Sequence, residues 1–319
     1  MSKNAKDISR DDEKSNLDEL YSNVENFRES ESFQQMLDFV SSFKKLSPYN
    51  AFLLYQQRPG ARYVLNASQW LKLYKRKIKP NARPLIILVP FGPVDYVYDI
   101  SDTSPVDDNN NPSLFAETDE EILSSIIEPF KTDGYEPKVE MNQLEESMKY
   151  HGIIVDANFK AGNNYAGRIE VLGDYHPKMT VQYKRINVYI TANYLLSIRD
   201  NAQCGEAFAT AAHELGHLFC HHLTAVPRKA WEVRYLDHAS KEFEAESVSY
   251  IVCTRLGIKT TSADYLSGYC KKNKTIPAIS VENIFTACNH ILNMIEGIPL
   301  KQGILYKYDE NFKRYIDSI

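Results

Sequence analysis

Between Ser32 and Lys45 the apolar residues Phe33, Met36, Leu37, Phe39, Val40 and Phe43 recur at three- and four-residue steps. That period predicts an amphipathic helix. Pro48 suits a first helical turn, so Tyr49 to Gln57 predicts a second one. Tyr63 to Leu65 and Leu85 to Pro90 predict short buried strands, and Tyr96 to Ile100 alternates like a half-buried strand. Ser101 to Ser113 carries Pro105, Pro112 and three successive asparagines, which predicts a loop or linker. Beyond it, helices are expected over 118–130 and 141–150, and strands over 152–155, 168–172 and 186–191. The last of these strands precedes the most regular helical segment of the chain. If it lies at a sheet edge, it can hold an extended peptide by backbone pairing. No internal repeat or low-complexity tract breaks the pattern.

That helical segment, FATAAHELGHLFCHH from Phe208 to His222, changes the picture from architecture to chemistry. It contains His213-Glu214-Leu215-Gly216-His217, an H-E-x-x-H motif. On a helix, residues four apart share one face, so two imidazoles there can reach one Zn²⁺. Glu214 follows the first ligand and can serve the same centre as general base. Alanines flank the motif and no proline interrupts it, so its helical geometry is expected.

A zinc site needs a third protein ligand. Lys241-Glu242-Phe243-Glu244-Ala245-Glu246-Ser247 opens a largely apolar run that ends at Ile258. Glu242 and Glu246 lie four apart, on one helical face. We read Glu242 as the third ligand and Glu246 as the carboxylate that supports a ligating histidine through its ring N–H. Glu244 points about 200° away from Glu242 and is the weaker ligand candidate. His221 and His222 are read as helix-end histidines near the C-terminal dipole rather than as a second metal site. Tyr265 and Tyr269, on the following segment, are candidates for a phenol that stabilises an oxyanion. His238 is read as structural or solvent-exposed.

Composition narrows the setting. With 43% hydrophobic and 25% charged residues the chain is of ordinary globular type, and a net charge of −5 argues against a wholesale nucleic-acid coat. Five cysteines make an odd number and form no short-spaced pair, which fits a reducing cytoplasm. Cys220 and Cys253 sit in apolar surroundings and are expected to be buried. The polar start of the chain has no apolar core of a signal peptide, and no apolar run approaches a membrane span. One local basic stretch stands out, from Trp70 to Arg83, with Lys72, Lys75, Arg76, Lys77, Lys79 and Arg83 among aromatics. Basic grooves with stacking aromatics hold single-stranded nucleic acid. Trp70 and those six cations are the candidate nucleic-acid-binding residues.

The stretches SPYNAFLLYQQRPGARYVLNASQW, KIKPNARPLIILVPF and VYDISDT resemble the N-terminal domain of ArdC-type antirestriction proteins. AAHELGHLFCHHL, KEFEAESVSYIVCTRLGI and ADYLSGY resemble the zincin-like domain of the same proteins and of ImmA/IrrE-type metallopeptidases. The likeness covers roughly residues 30–105 and 140–295, and its second half rests on the more specific motifs. In one departure, Asn81 and Arg83-Pro84 stand where that family usually has glycines. The resemblance implies an α+β protein. After a disordered tail at 1–15 comes a small α+β, single-stranded-DNA-binding domain at 16–115. A linker or helix at 116–140 leads to a zincin-like metallopeptidase domain at 141–319, built from an active-site helix, an edge strand and a Glu-bearing helix. The implied activity is zinc-dependent hydrolysis of a peptide or protein, beside single-stranded DNA and away from membranes, in antirestriction or mobile-element protection. Two alternatives stay open: an IrrE-like regulatory protease that cleaves a repressor, and a DNA-protective binding protein whose metal is mainly structural.

Overall fold

A computed structural model describes residues 30–89, 94–107, 109, 111–113, 117–126, 135–160 and 166–319. The fold is mixed α+β with small separate sheets. The chain divides into two units, Met1–Phe130 and Lys131–Ile319. The expected tail at 1–15, Pro90 and the end of the helix expected at 118–130 lie outside the described residues. The segment expected as linker or helix at 116–140 gives a helix to the first unit and the start of another to the second.

In the first unit, α1 (Ser30–Ser42) buries Phe33, Met36, Leu37 and Val40, the stripe its spacing predicts, and packs on α2 (Pro48–Gln57). Ser47 caps α2, its hydroxyl accepting from Asn50 N at 3.2 Å, and Pro48 fills the first turn. Three strands, β1 (Val64–Leu65), β3 (Leu85–Ile87) and β4 (Asp95–Asp99), pair antiparallel in the order β1-β4-β3. The outer edge of β3 is closed by side chains from α2. Gln57 exchanges two hydrogen bonds with Ile86, each 2.8 Å, and Asn50 exchanges two with Leu88, each 2.9 Å. Primary amides mimic a neighbouring strand here, and so satisfy an edge that would otherwise invite pairing.

The basic stretch folds as α3 (Ala67–Tyr74) and β2 (Arg76–Ile78), and β2 pairs with β5 (Thr103–Pro105). Periodicity announces neither element, and β5 lies in the segment expected as loop. A capping box between Asn66 and Gln69 starts α3. Trp70 is fully buried, packs with Ile100, Ile122 and Leu123 of α4 (Asp119–Ile126), and donates its indole N–H to Tyr98 O at 2.8 Å.

In the second unit, β6 (Ile153–Phe159) pairs parallel with β10 (Tyr194–Arg199), which pairs antiparallel with β7 (Gly167–Val171). The hairpin β8 (Lys178–Tyr183) and β9 (Ile186–Thr191) forms a separate sheet. Its inward alternation of Met179, Val181, Val188 and Ile190 packs on Leu300, Leu305 and Ile316 near the C-terminus. The helical part is built from α5 (Lys138–Tyr150), α6 (Cys204–Phe219), α7 (His238–Leu256), α8 (Ser262–Lys272) and α9 (Val281–Glu296), followed by the short α10 (Ile304–Tyr308) and α11 (Glu310–Asp317). Among the described residues, no helix is long and apolar enough to cross a membrane.

Candidate metal centre

α6 and α7 cross with almost nothing between them. A Cβ at Gly216 would lie 3.1 Å from Ala245 Cα and 3.3 Å from Val248 Cβ. Glycine in the motif therefore has a steric role: it lets the helix bearing the histidines meet the helix bearing Glu242. Below that contact Phe208, Ala211, Leu215, Phe243, Val248 and Ile251 are buried, which fixes the rotation of both helices. α7 is ended by Gly257 at φ 72° and begun by Asp237, whose carboxylate accepts from Ser240 N at 2.7 Å.

This packing brings His213, His217 and Glu242 together, with one ligand atom from each inside a 4.8 Å cluster. His213 Nε2 stands 3.6 Å from Glu242 Oε2, and His217 Nε2 stands 3.4 Å from Glu242 Oε1. A tetrahedral centre with bonds of about 2.0–2.1 Å separates its corners by about 3.4 Å, close to the two distances from the imidazoles to the Glu242 carboxylate. Glu246 Oε1 lies 3.6 Å from His213 Nδ1, on the side of the ring away from Glu242. Its other oxygen, Oε2, is buried with no hydrogen-bond partner.

The electrostatics favour a cation. Burial opposes a charge on His213, but Glu242 and Glu246 together outweigh it and raise its pKa to about 10. Burial and the neighbouring His213 push His217 down to about 3. The hydrogen bond from His213 holds the Glu242 carboxyl below its usual range. Without an ion, the cluster keeps a proton on one imidazole to balance its carboxylates. A divalent ion with two imidazoles and a carboxylate is the other way to meet that demand.

Glu214 is 9% exposed, and burial raises its pKa. Its Oε2 accepts from Ile169 N at 2.9 Å. The register of β7 against β10 turns Ile169 N–H away from β10, onto the side of β7 that pairs with no other strand among the described residues. Ile186–Thr191 is a strand at a sheet edge, as expected, but in a different sheet. The strand beside the motif helix is β7, and Ile186–Thr191 instead forms the outer hairpin with β8. Both segments alternate, and alternation alone does not say which sheet a strand joins. β7 approaches α6 closely at Gly167, where a Cβ would meet Thr210 Cγ2 at 2.5 Å and Ser197 O at 2.6 Å.

Of the two tyrosines, Tyr265 is raised in pKa by burial and then by the Glu242 and Glu246 charges. Tyr269 lies edge-on to Phe243, ring centroids 5.0 Å apart. His238 Nδ1 is 3.5 Å from Glu242 Oε1, but its side chain is 88% exposed, at the rim.

His222 is the larger surprise. α6 stops at Phe219, and His221 takes φ 63°, which turns the chain back. His222 is buried, its Nδ1 2.9 Å from His217 Nδ1 and its Nε2 2.8 Å from Glu244 Oε2. Glu244 does face away from the histidine pair, as its helical angle requires, yet it is fully buried rather than solvated. Arg234 grips both its oxygens, at 2.6 and 2.7 Å, and Ser280 N donates to Oε1 at 2.6 Å. Helical spacing hides His222, because it is placed by a left-handed residue after the helix. It hides Arg234 too, because a loop carries it.

In the first unit two candidate nucleic-acid residues are withdrawn. Trp70 is core. Arg76 is 3% exposed, held by Thr103 Oγ1 at 2.7 Å and Asp119 Oδ1 at 2.5 Å. Residue type alone suggests both, and the β2–β5 pairing turns Arg76 inward. Lys72, Lys75, Lys77, Lys79 and Arg83 are exposed. Asn81 takes φ 68°, a left-handed conformation that asparagine tolerates where glycine is absent. No family model, no curated protein and no solved structure matches this chain.

Proposed function

We propose that the second unit is a zincin-like, zinc-dependent peptidase, with His213, His217 and Glu242 as ligands and Glu214 as general base. The observation that carries this reading is the convergence of two imidazoles and one carboxylate from two helices, at 3.4–3.6 Å, beside a buried glutamate. Bound Zn²⁺ supplies Lewis-acid activation of a water and of the scissile carbonyl. Glu214 takes the proton of the attacking water at its carboxylate and returns it to the leaving amine. Burial raises its pKa above that of an ordinary carboxyl, which makes its carboxylate a stronger base. Ile169 N–H, on the outer edge of β7, holds the Glu214 carboxylate beside the histidine pair. Tyr265, whose phenol is influenced by the Glu242 and Glu246 charges, is the tyrosine we assign as a candidate oxyanion donor.

The test has two parts. Metal analysis of the full chain should give one zinc, lost on His217→Ala. A peptide-library cleavage screen should then find a substrate whose hydrolysis stops in Glu214→Gln while zinc is retained. Loss of zinc from the glutamine variant would sink the role assigned to Glu214.

For the first unit we propose single-strand binding through Lys72, Lys75, Lys77, Lys79 and Arg83. The observation that favours it is that five exposed cations follow one another along α3, β2 and the turn after it. The pairing of such a unit with a zinc peptidase is the arrangement of the ArdC-type proteins that both halves resemble. Fluorescence anisotropy with a labelled single strand should show a steep loss of affinity with salt. A weak response that is flat in salt overturns the claim.

A further inference from the structure

The two candidate zinc histidines are supported differently. His213 presents Nδ1 to the carboxylate of Glu246 directly. His217 presents Nδ1 to another imidazole, His222, which in turn meets Glu244. The proton positions along this second line follow from its far end. The Glu244 carboxylate takes two N–H groups of Arg234 and the N–H of Ser280. A carboxylate so placed beside a guanidinium accepts hydrogen bonds and donates none. His222 Nε2 must therefore carry a proton and donate it to Glu244. In a neutral ring the other nitrogen is then bare, so His222 Nδ1 is an acceptor. Only a proton on His217 Nδ1 can fill it. That leaves His217 Nε2 as a lone pair, facing Glu242 at 3.4 Å.

Resting on the metal reading above, we infer that Arg234, Glu244 and His222 form an orienting chain that presets His217 as an Nε2 metal ligand. Arg234 also donates to Cys220 O at 3.0 Å, and its backbone N–H donates to His221 O at 2.9 Å. The same residue thus anchors the carboxylate and the reversed turn that delivers His222. Both ends of the chain are held by one loop residue.

Cys220, His222 and Glu244 also lie within metal-binding distance of one another. Arg234 fills both oxygens of that carboxylate with a positive charge, and burial drives the Cys220 thiol well above its usual pKa. A cation would have to displace the guanidinium, so the trio is support for the centre and not a second one.

The experiment uses the full chain. Nitrogen-detected histidine spectra of the metal-free protein should show His217 protonated at Nδ1 and bare at Nε2, with His222 the reverse. Zinc affinity, measured by competition with a chromophoric chelator, should fall about ten- to hundredfold in His222→Leu at unchanged circular dichroism. His222→Gln should recover part of it, since an amide can accept from His217 and donate to Glu244. A His217 ring protonated at Nε2 overturns the inference. So does a leucine variant that binds zinc like the parent, or no difference between leucine and glutamine. Two zinc ions per parent chain, one lost with His222, overturn it in favour of the buried trio as a second site. A parent that takes up no zinc overturns the metal reading beneath it, and is distinguished because no histidine variant then changes uptake.

Discussion

Polar motif residues meet opposite fates in the two units. In the first, several conspicuous polar side chains are tied to the backbone or locked into buried pairs. Asp99 is 1% exposed and accepts from Arg62 N, Tyr63 N, Ser101 N and Ser101 Oγ at 2.6–3.1 Å. Asn50 and Gln57 close a strand edge, and Arg76 is clamped by Thr103 and Asp119. In the second unit His213, His217, Glu242 and Glu246 face one another instead. A polar group whose valences the backbone fills is holding the fold. A group left facing other charged groups, at partial burial, is available for a ligand.

The strongest way to break this contrast is at Glu214. Exchange to glutamine keeps its shape and its Ile169 hydrogen bond but removes the base. Cleavage should fall about 10²–10⁴-fold with zinc content and melting temperature held. Next is Trp70→Ala, which should cost about 3–5 kcal/mol in denaturant unfolding, as expected for core truncation. Zinc uptake should be unchanged, because Trp70 belongs to the first unit and the centre to the second. Gly216→Val tests whether close helix contact makes the site. Overpacking against Ala245 should cost about 1–3 kcal/mol and weaken zinc binding together with stability.

Acid sharpens the comparison further, because all eight histidines lie in the second unit. His151 is buried, with both ring nitrogens unpartnered, and burial lowers its pKa to about 3. Burial, with Lys307 nearby, lowers His290 to about 4. Both stay neutral when folded and charge near pH 6.5 when unfolded. Their stabilising effect is therefore complete above about 6.5 and is lost as pH falls toward those lower values, at up to about 1.4 kcal/mol per pH unit per histidine. Pulsed hydrogen exchange between pH 6.5 and 4.5 should show second-unit amides losing protection first. His151→Phe should flatten that dependence. In the first unit, burial opposes ionisation of Asp99 but its hydrogen bonds hold the carboxyl below its usual pKa, so its contribution fades only in stronger acid. The smallest effect is expected at the surface. Lys72→Glu with Lys77→Glu should reduce the salt slope of strand binding by about one per lysine removed, with stability within about 0.5 kcal/mol of the parent.

Periodicity makes α1, α5 and β9 legible, because each shows one face to a core and one to water, and Pro48 announces α2. The pairing of His213 with His217 is equally legible, since four-residue spacing on a helix is local geometry. The same local rule turns Glu244 away from the cluster. Strand partnership is not local. β10 joins β6 and β7 across long stretches of chain, and nothing in Ile186–Thr191 announces that it folds onto β8 instead. The burial of Trp70 and Arg76 is also hidden, because the elements that cover them, β5 and α4, come later in the chain.

The sequence by itself determined which residues could act as ligands and base: two histidines and a glutamate on one helix, and an acidic pair at the start of the next. Tertiary packing decided the rest. Glycine contact at Gly216 set the distance of Glu242 from the imidazoles. A left-handed turn at His221 and an arginine from a loop decided what stands behind His217. Helical spacing is written in neighbouring residues, whereas the distance between helices depends on the smallest side chain where they cross.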